Sequence, residues 1–194
     1  MLTIHRVREV RLGGSDAPVA APVTEADAVL VSGDRIEDIG PYERLRAEHG
    51  ERARVREWDG VLAPGRYEPD AAALLEAAYH PDPREADELG TEPVTGAALV
   101  ALAMTDVRWG GSARRGLQRL LAAGTTALTG PFERPPVRKA VERSGLRVLP
   151  ASPESPALRP GTLTVGGPAD FAVFAADGSA LATVLGGRLV HRRR

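Results

Sequence analysis

Apolar and charged residues alternate in short segments at both ends of the chain, which predicts β-strands there. The segments LTIHRVREVRL (2–12) and ARVREWDGVLAP (53–64) both alternate in this way. Between them, two apolar runs flank Ser32-Gly33-Asp34, a tight-turn composition that predicts a hairpin. Near the other end, Asp177-Gly178 and Gly186-Gly187 have the turn residues and spacing of an antiparallel meander. The pattern therefore predicts strand-rich ends.

The middle of the chain has helical spacing instead. In GGSARRGLQRLLAAGTTALTG, Ser112 can cap a helix with an apolar stripe of leucines, and Gly124 fits the left-handed position that ends it. A Thr- and Leu-containing strand follows. PPVRKAVERSGLRVLP (135–150) repeats this order, with Gly145 after the helix. Two successive helix–Gly–strand modules predict parallel strands joined by helical crossovers.

Weaker helical patterns precede these modules. One helix is predicted over 71–80 with Asp70 as its N-cap, and another over 93–105. The polar segment 81–90 between them is interpreted as a surface loop or a frayed acidic helix. A Pro- and Ser-rich segment at 150–161 is interpreted as a surface connection.

Composition excludes several classes of function. With 25 Lys and Arg against 26 Asp and Glu, the net charge is −1, and no general positive field would attract nucleic acid or anionic lipid. The absence of cysteine excludes disulfides, thiolate metal ligands and a thiol nucleophile. Neither a signal-peptide core nor a run of ~20 apolar residues is present, so we expect no membrane partner and a cytoplasmic protein.

The order of several segments resembles a known family. AVLVSGDRIEDIG, then WDGVLAPG, then GTLTVGGPADFAVF and ATVLGGRLVHRR are similar to the metal-dependent amidohydrolase superfamily, in particular its imidazolonepropionase-like branch. The resemblance implies a composite β-sandwich built from both ends of the chain, with a (β/α) barrel between them. The fold class expected is therefore α/β plus β. We expect the sandwich to comprise 1–64 and 158–194, and a truncated, barrel-derived α/β lobe to comprise 65–157.

The catalytic features implied by the resemblance are largely missing. In the family, the strand that ends in Pro-Gly leads to a His-x-His pair of metal ligands, but here Asp70 and Ala72 occupy those positions. Only about 95 residues separate Gly65 from Gly161, whereas a complete barrel needs ~200 or more. We therefore expect no catalytic residue and no bound cofactor.

The sequence contains two weaker candidate sites. His80 and Asp82, with Glu85, Asp87 or Glu88 nearby, form the one cluster of metal-ligand types, and they are the low-ranked candidates for a divalent metal such as zinc. Their spacing matches no established metal motif, so a solvated acidic loop is the preferred interpretation. Ser112, Arg114 and Arg115, at the predicted start of a helix, could bind an anion, although an ordinary capped helix is the preferred interpretation of them.

Two functional hypotheses remain open. The preferred one is an amidohydrolase-like pseudoenzyme that has lost metal-dependent hydrolysis and binds a protein or small-molecule partner. The alternative is an active hydrolase of non-peptide C–N bonds, completed by a second subunit or by an atypical metal site. Because a partial barrel leaves strand edges uncovered, we also expect a homodimer through the α/β lobe.

Overall fold

A computed structural model describes residues 1–13, 25–151 and 161–193. The described residues cluster into two compact units. The terminal unit lies within Met1–Tyr67, Leu121–Thr126 and Arg159–Arg194, and the central unit lies within Glu68–Leu120 and Ala127–Leu158. The Pro- and Ser-rich connection predicted from the sequence falls largely on 152–160, outside the described residues.

The secondary structure follows in chain order. The first elements are β1 (Leu2–Arg6), β2 (Glu9–Val10), β3 (Ala28–Ser32), β4 (Arg35–Gly40), α1 (Tyr42–His49), β5 (Arg54–Glu57), β6 (Val61–Pro64) and β7 (Arg66–Glu68). The next are α2 (Ala71–Glu76), β8 (Ala78–Tyr79), a 3-10 helix (Pro83–Glu85), α3 (Ala86–Leu89), β9 (Val94–Thr95), α4 (Gly96–Ala101), α5 (Asp106–Ala122), β10 (Thr125–Gly130), α6 (Pro135–Ser144) and β11 (Arg147–Pro150). The last are β12 (Phe171–Phe174), β13 (Ala180–Leu185) and β14 (Arg188–Arg192).

Two sheets make up most of the terminal unit. One has the strand order β4-β3-β1-β5 and the other the order β14-β13-β12-β6-β2. The predicted hairpins are confirmed, because β3 pairs antiparallel with β4 and β12, β13 and β14 form an antiparallel meander. Gly33, Gly178, Gly186 and Gly187 adopt positive φ at these turns, as turns of this kind require.

The terminal unit has two apolar layers. The larger is built from both sheets and includes Val29 and Val31 of the first sheet and Phe171 and Val184 of the second. The smaller contains Ile4, Leu30, Tyr42 and Leu45, and it lies between the first sheet and α1. Alternate residues of β3 therefore enter different layers, which explains why this strand is buried on both faces.

The two helix–Gly–strand modules are confirmed in the central part of the chain. Gly124 follows α5 and Gly145 follows α6, both with positive φ, and β10 and β11 pair in parallel from Ala127↔Arg147 to Gly130↔Pro150. The buried face of α6 contains Val137, Ala140 and Val141.

The start of α5 was predicted incorrectly. The helix begins at Asp106 rather than after Ser112, and the hydroxyl of Thr105 accepts a hydrogen bond from the backbone N–H of Arg108. Gly110 and Gly111, which precede the predicted cap at Ser112, lie inside the helix. Its buried face also starts earlier, at Trp109 and Gly110, than the leucine stripe indicated.

The two weaker helix predictions need correction. The helix predicted over 71–80 ends at Glu76, and Asp70 precedes it without a side-chain capping bond. The helix predicted over 93–105 is limited to α4, since Pro93 is outside it and Val94–Thr95 pair with Ala78–Tyr79 as a short antiparallel ladder. The polar segment between them contains the 3-10 helix and α3, neither of which has a buried residue.

The protein is therefore a mixed α/β protein with several sheets. None of these sheets closes into a barrel within the described ranges. None of the described helices is both long and apolar enough to cross a membrane.

Candidate functional site

The segment that resembles the family's approach to its first metal ligands begins at Pro64-Gly65, at the end of β6. Gly65 is required there by close packing, because a Cβ on it would lie 2.1 Å from Thr126 Cγ2. Farther along, Asp70 and Ala72 are both exposed, one directly before α2 and the other within it. Neither position presents a nitrogen ligand, so this part of the chain supplies no histidine pair.

His80 is almost completely buried in the central unit, with 4% of its surface exposed. Its Nε2 lies 2.9 Å from the carbonyl oxygen of Leu74, and because a carbonyl can only accept, Nε2 carries the proton. Burial lowers the pKa of His80. The hydrogen bond to Leu74 acts in the opposite direction, and the charges of Arg119 and Arg115 lower the pKa further. The ring is therefore neutral, and its Nδ1 has no hydrogen-bond partner among the described residues.

Asp82 has a structural task in the same segment. Its carboxylate accepts the backbone N–H of Arg84 at 3.1 Å, while the Glu85 carboxylate accepts the backbone N–H of Asp82, forming a capping box at the 3-10 helix. A second oxygen of Asp82 lies 3.3 Å from Arg115 Nη1. Both oxygens are therefore engaged by the protein itself.

Glu85 belongs to a second polar contact. It accepts a hydrogen bond from the Tyr79 hydroxyl and forms an ion pair with Arg108 at 2.9 Å. These hydrogen bonds, the one from Tyr79 first, lower the pKa of Glu85. Arg108 also lies over the Tyr79 ring, 4.8 Å from its centroid. The sequence pattern pointed to Glu85 but not to Tyr79 or Arg108, because no local pattern connects residues this far apart.

A divalent metal does not fit this cluster. Zinc sites use about three protein ligands, and no group of three His, Asp or Glu side chains suitable for a metal occurs in the described ranges. Asp82 is used by a helix start and Arg115, and Glu85 by Tyr79 and Arg108, which leaves His80 Nδ1 as the one uncommitted ligand atom of the three residues. Moreover, two guanidinium groups act on the His80 ring and would repel a cation.

The three residues proposed as an anion site are not at a helix start. Ser112 is fully buried inside α5, where its hydroxyl accepts the His80 N–H at 2.9 Å and lies 3.4 Å from the Ala78 carbonyl. Arg115 donates from Nε to the His80 carbonyl at 2.8 Å, and Arg114 is exposed. The free N–H groups on which the hypothesis depended are absent there, since α5 begins six residues earlier. Anion binding by Ser112, Arg114 and Arg115 stays a prediction.

The other three histidines lie in the terminal unit. His5 is in β1, His191 in β14 and His49 at the end of α1. His5 is buried in the terminal unit, where it accepts a hydrogen bond from Trp58 Nε1 at 3.3 Å and contacts the Phe171 ring edge-on. None of the three belongs to the unit that contains His80.

Comparison with known families agrees with the resemblance predicted from the sequence. Residues 28–51 match the family model described as imidazolonepropionase-like composite domain, bacteria. This segment contains the β3–β4 hairpin and α1. The resemblance to the imidazolonepropionase-like branch of the amidohydrolases is therefore confirmed over these residues. No curated protein matches the chain in sequence.

Several solved structures are similar to the chain at low identity. E. coli guanine deaminase is 16% identical with a TM-score of 0.49, and the match covers 77% of this chain and 35% of that one. A. niger ochratoxinase is 16% identical with a TM-score of 0.47, covering 77% and 30% respectively. An amidohydrolase from a Sargasso Sea environmental sample is 18% identical with a TM-score of 0.46, covering 84% and 39%. The chain thus spans well under half the length of each.

Proposed function

We propose that this chain is an amidohydrolase-like protein that has lost metal-dependent hydrolysis and acts as a binding or interaction protein. The proposal depends chiefly on Asp82, whose two carboxylate oxygens bind the Arg84 N–H and Arg115, and on His80, whose Nδ1 is a single ligand atom where a zinc site needs about three. A metal would have to displace these contacts and overcome the repulsion of nearby guanidinium groups. Asp70 and Ala72 stand where the family has its histidine pair, and neither residue supplies an imidazole ligand.

For the architecture, we propose that the two sheets of the terminal unit form the composite β-sandwich of the family. Support comes from the apolar core that both sheets share and from the family match to 28–51. The proposed boundaries are those expected from the sequence, 1–64 with 158–194 for the sandwich and 65–157 for the truncated barrel-derived lobe.

The test is zinc binding by the purified protein. After mild dialysis and equilibrium dialysis against zinc chloride, we expect no stoichiometric zinc, and we expect His80→Ala and the control His49→Ala to match the wild type. One zinc ion per chain that is lost only with His80→Ala or Asp82→Asn would contradict the proposal. That result would support the alternative, an active hydrolase of non-peptide C–N bonds with an atypical metal site.

As partner we propose a second copy of the chain, bound through the central unit. The α4 helix has no buried residue, although it consists of GAALVA, and Val100 and Val107 are 85% and 83% exposed. Large exposed apolar patches mark protein–protein interaction sites, and we take the surface around Val100 and Val107 as such a patch. Two identical copies related by a two-fold axis would cover one another's patch, which a self-complementary apolar surface allows.

Sedimentation velocity at micromolar concentration tests this dimer. We expect the wild type to be a dimer and Val107→Asp to be a monomer, because a buried unpaired carboxylate would oppose association. Val165→Asp is the matched control, since Val165 is 61% exposed but lies in the terminal unit. A monomeric wild type, or equal dissociation by the control, would contradict the proposal.

A further inference from the structure

Three arginines lie on the edge strands of the two sheets in the terminal unit. Strand β5 is the outer strand of the first sheet and β14 the outer strand of the second. Arg54 and Arg56 in β5 are paired with Thr3 and His5 of β1, and Arg192 in β14 is paired with Ala182 of β13. Neighbouring residues in register project from the same face of a sheet.

The faces that carry these arginines are the inner ones. His5 contacts the ring of Phe171, a residue of the second sheet, with the ring centroids 5.1 Å apart. The face of the first sheet that carries His5, and with it Arg56, is therefore directed towards the second sheet. Ala182 belongs to the core cluster shared by the two sheets, which places Arg192 on the inner face of the second sheet.

Trp58 connects the two edges. Its ring stacks on His5, with 6.4 Å between centroids and 9° between planes, and its Nε1 donates to His5 Nδ1. The guanidinium carbon of Arg192 lies 5.5 Å from the Trp58 ring centroid. The indole therefore forms an apolar wall beside Arg192, and its position is fixed by the buried His5.

The three arginines repel one another and have no counter-charge among the described residues. Burial first, then the charges of Arg54 and Arg192, lower the pKa of Arg56. Its Nε is buried with no hydrogen-bond partner, and none of the three arginines forms an ion pair within the described part of the chain. The neighbouring carboxylate, Glu57, is paired with Arg6 on the opposite face of the sheet.

His5 adds no charge that would alter this balance. Burial, with a smaller contribution from Arg56, lowers the pKa of His5 to about 3, so it is neutral at physiological pH. Leaving a partly buried guanidinium donor unpaired costs free energy, and an anion with several oxygens would remove that cost. Guanidinium groups bind carboxylate and phosphate oxygens through paired, charge-assisted hydrogen bonds.

We propose that Arg54, Arg56 and Arg192 form a binding site for a small oxyanion, a phosphate or a carboxylate group, with Trp58 as its apolar wall. The site is independent of the His80 cluster and of the loss of hydrolysis proposed above. It is also distinct from the candidate anion site at Ser112, Arg114 and Arg115 in α5, because it lies in the terminal unit. Phosphate and carboxylate share the oxygens that guanidinium recognises, and an aromatic carboxylate would in addition contact Trp58.

Isothermal titration calorimetry at low ionic strength provides the test. Inorganic phosphate and benzoate are the two probes, and sodium chloride of equal ionic strength is the reference. We expect saturable binding of at least one probe, a roughly tenfold or greater loss of affinity in Arg56→Gln and in Arg192→Gln, and an unchanged affinity in Arg188→Gln. Arg188 is the matched control because it lies in β14 but pairs with Leu185, on the opposite face from the core residue Val184.

The stability of the variants in the absence of an anion provides a second measurement. Because each substitution removes a repelling charge, Arg56→Gln and Arg192→Gln should unfold in urea at or above the wild-type midpoint when no anion is added. Arg54→Gln provides a third variant at an exposed position. Absence of saturable binding by either probe, or an equal loss in Arg188→Gln, would overturn the proposal.

Discussion

Gly116 lies in α5 beside the His80 ring, and replacing it with alanine measures how closely the helix packs in the central unit. An added Cβ would lie 2.7 Å from His80 Nε2 and 2.7 Å from Leu75 Cδ2, closer than non-bonded atoms normally approach. Both neighbours are buried, with 4% and 0% exposed, so neither can move into solvent. We therefore expect Gly116→Ala to strain the packing of α5.

The matched control is Gly111→Ala in the same helix. A Cβ at Gly111 would meet only the ends of arginine side chains, the nearest being Arg115 Nη1 at 3.4 Å. Both substitutions gain the same helix propensity, about 1 kcal/mol for alanine over glycine. Overpacking costs about 1–3 kcal/mol, and only Gly116→Ala incurs it. The free energies of unfolding of the two variants should therefore differ by about 1–3 kcal/mol, with Gly111→Ala the more stable.

Urea unfolding followed by tryptophan fluorescence is the assay. A Trp58→Phe background leaves Trp109, buried in α5, as the one tryptophan, so the signal reports on the central unit. Comparing the two alanine variants in this background removes the contribution of the Trp58 substitution. If Gly116→Ala proved as stable as Gly111→Ala, the close packing of α5 against His80 and Leu75 would be refuted.

Two further predictions concern the terminal unit. The pKa of His5 in the folded protein lies at about 3, below its unfolded value, so between about pH 6.5 and 3 only the unfolded state binds the proton. The free energy of unfolding should therefore decrease as the pH falls through this window, by up to about 1.4 kcal/mol per pH unit. Urea unfolding at pH 7, 6 and 5 should show a shallower dependence in His5→Gln, and an equal slope would contradict this. The Asp27 carboxylate accepts the N–H of Tyr42 at 2.6 Å, so Asp27→Ala should lower the free energy of unfolding by about 0.5–2 kcal/mol. Asp27→Asn keeps an acceptor and should lose less, as a thermal melt would reveal.

Local chemistry made the turns and modules predictable. Gly33, Gly145 and Gly186 adopt positive φ at the predicted turns and helix end, because glycine reaches that conformation without steric cost. The prediction that α5 starts after Gly110-Gly111 was wrong, because this glycine pair lies inside the helix. There the buried face that begins at Trp109 overrides the poor helix propensity of glycine, which is a tertiary effect.

Helix starts show a second limit of sequence reasoning. The sequence assigned caps to Asp70 and Ser112, the nearest residues of suitable type, and neither caps a helix. Instead, α1 is capped by Asp27, fifteen residues away, and the N–H groups before α6 are bound by Glu76, whose oxygens lie 3.1 Å from Glu133 N and 2.6 Å from Arg134 N. Such caps require chain segments that meet only after folding.

The sequence by itself determined the strand-rich ends, the two helix–Gly–strand modules, the family resemblance and the absence of a histidine pair after Pro64-Gly65. These features depend on local patterns and on residue identity. Only the tertiary structure decided that His80 donates to Leu74, that Ser112 is buried against it, and that Arg54, Arg56 and Arg192 lie on the inner faces of two sheets. The reason is physical: these contacts join residues far apart in the chain, and burial, which sets their protonation and pairing, exists only in the folded protein.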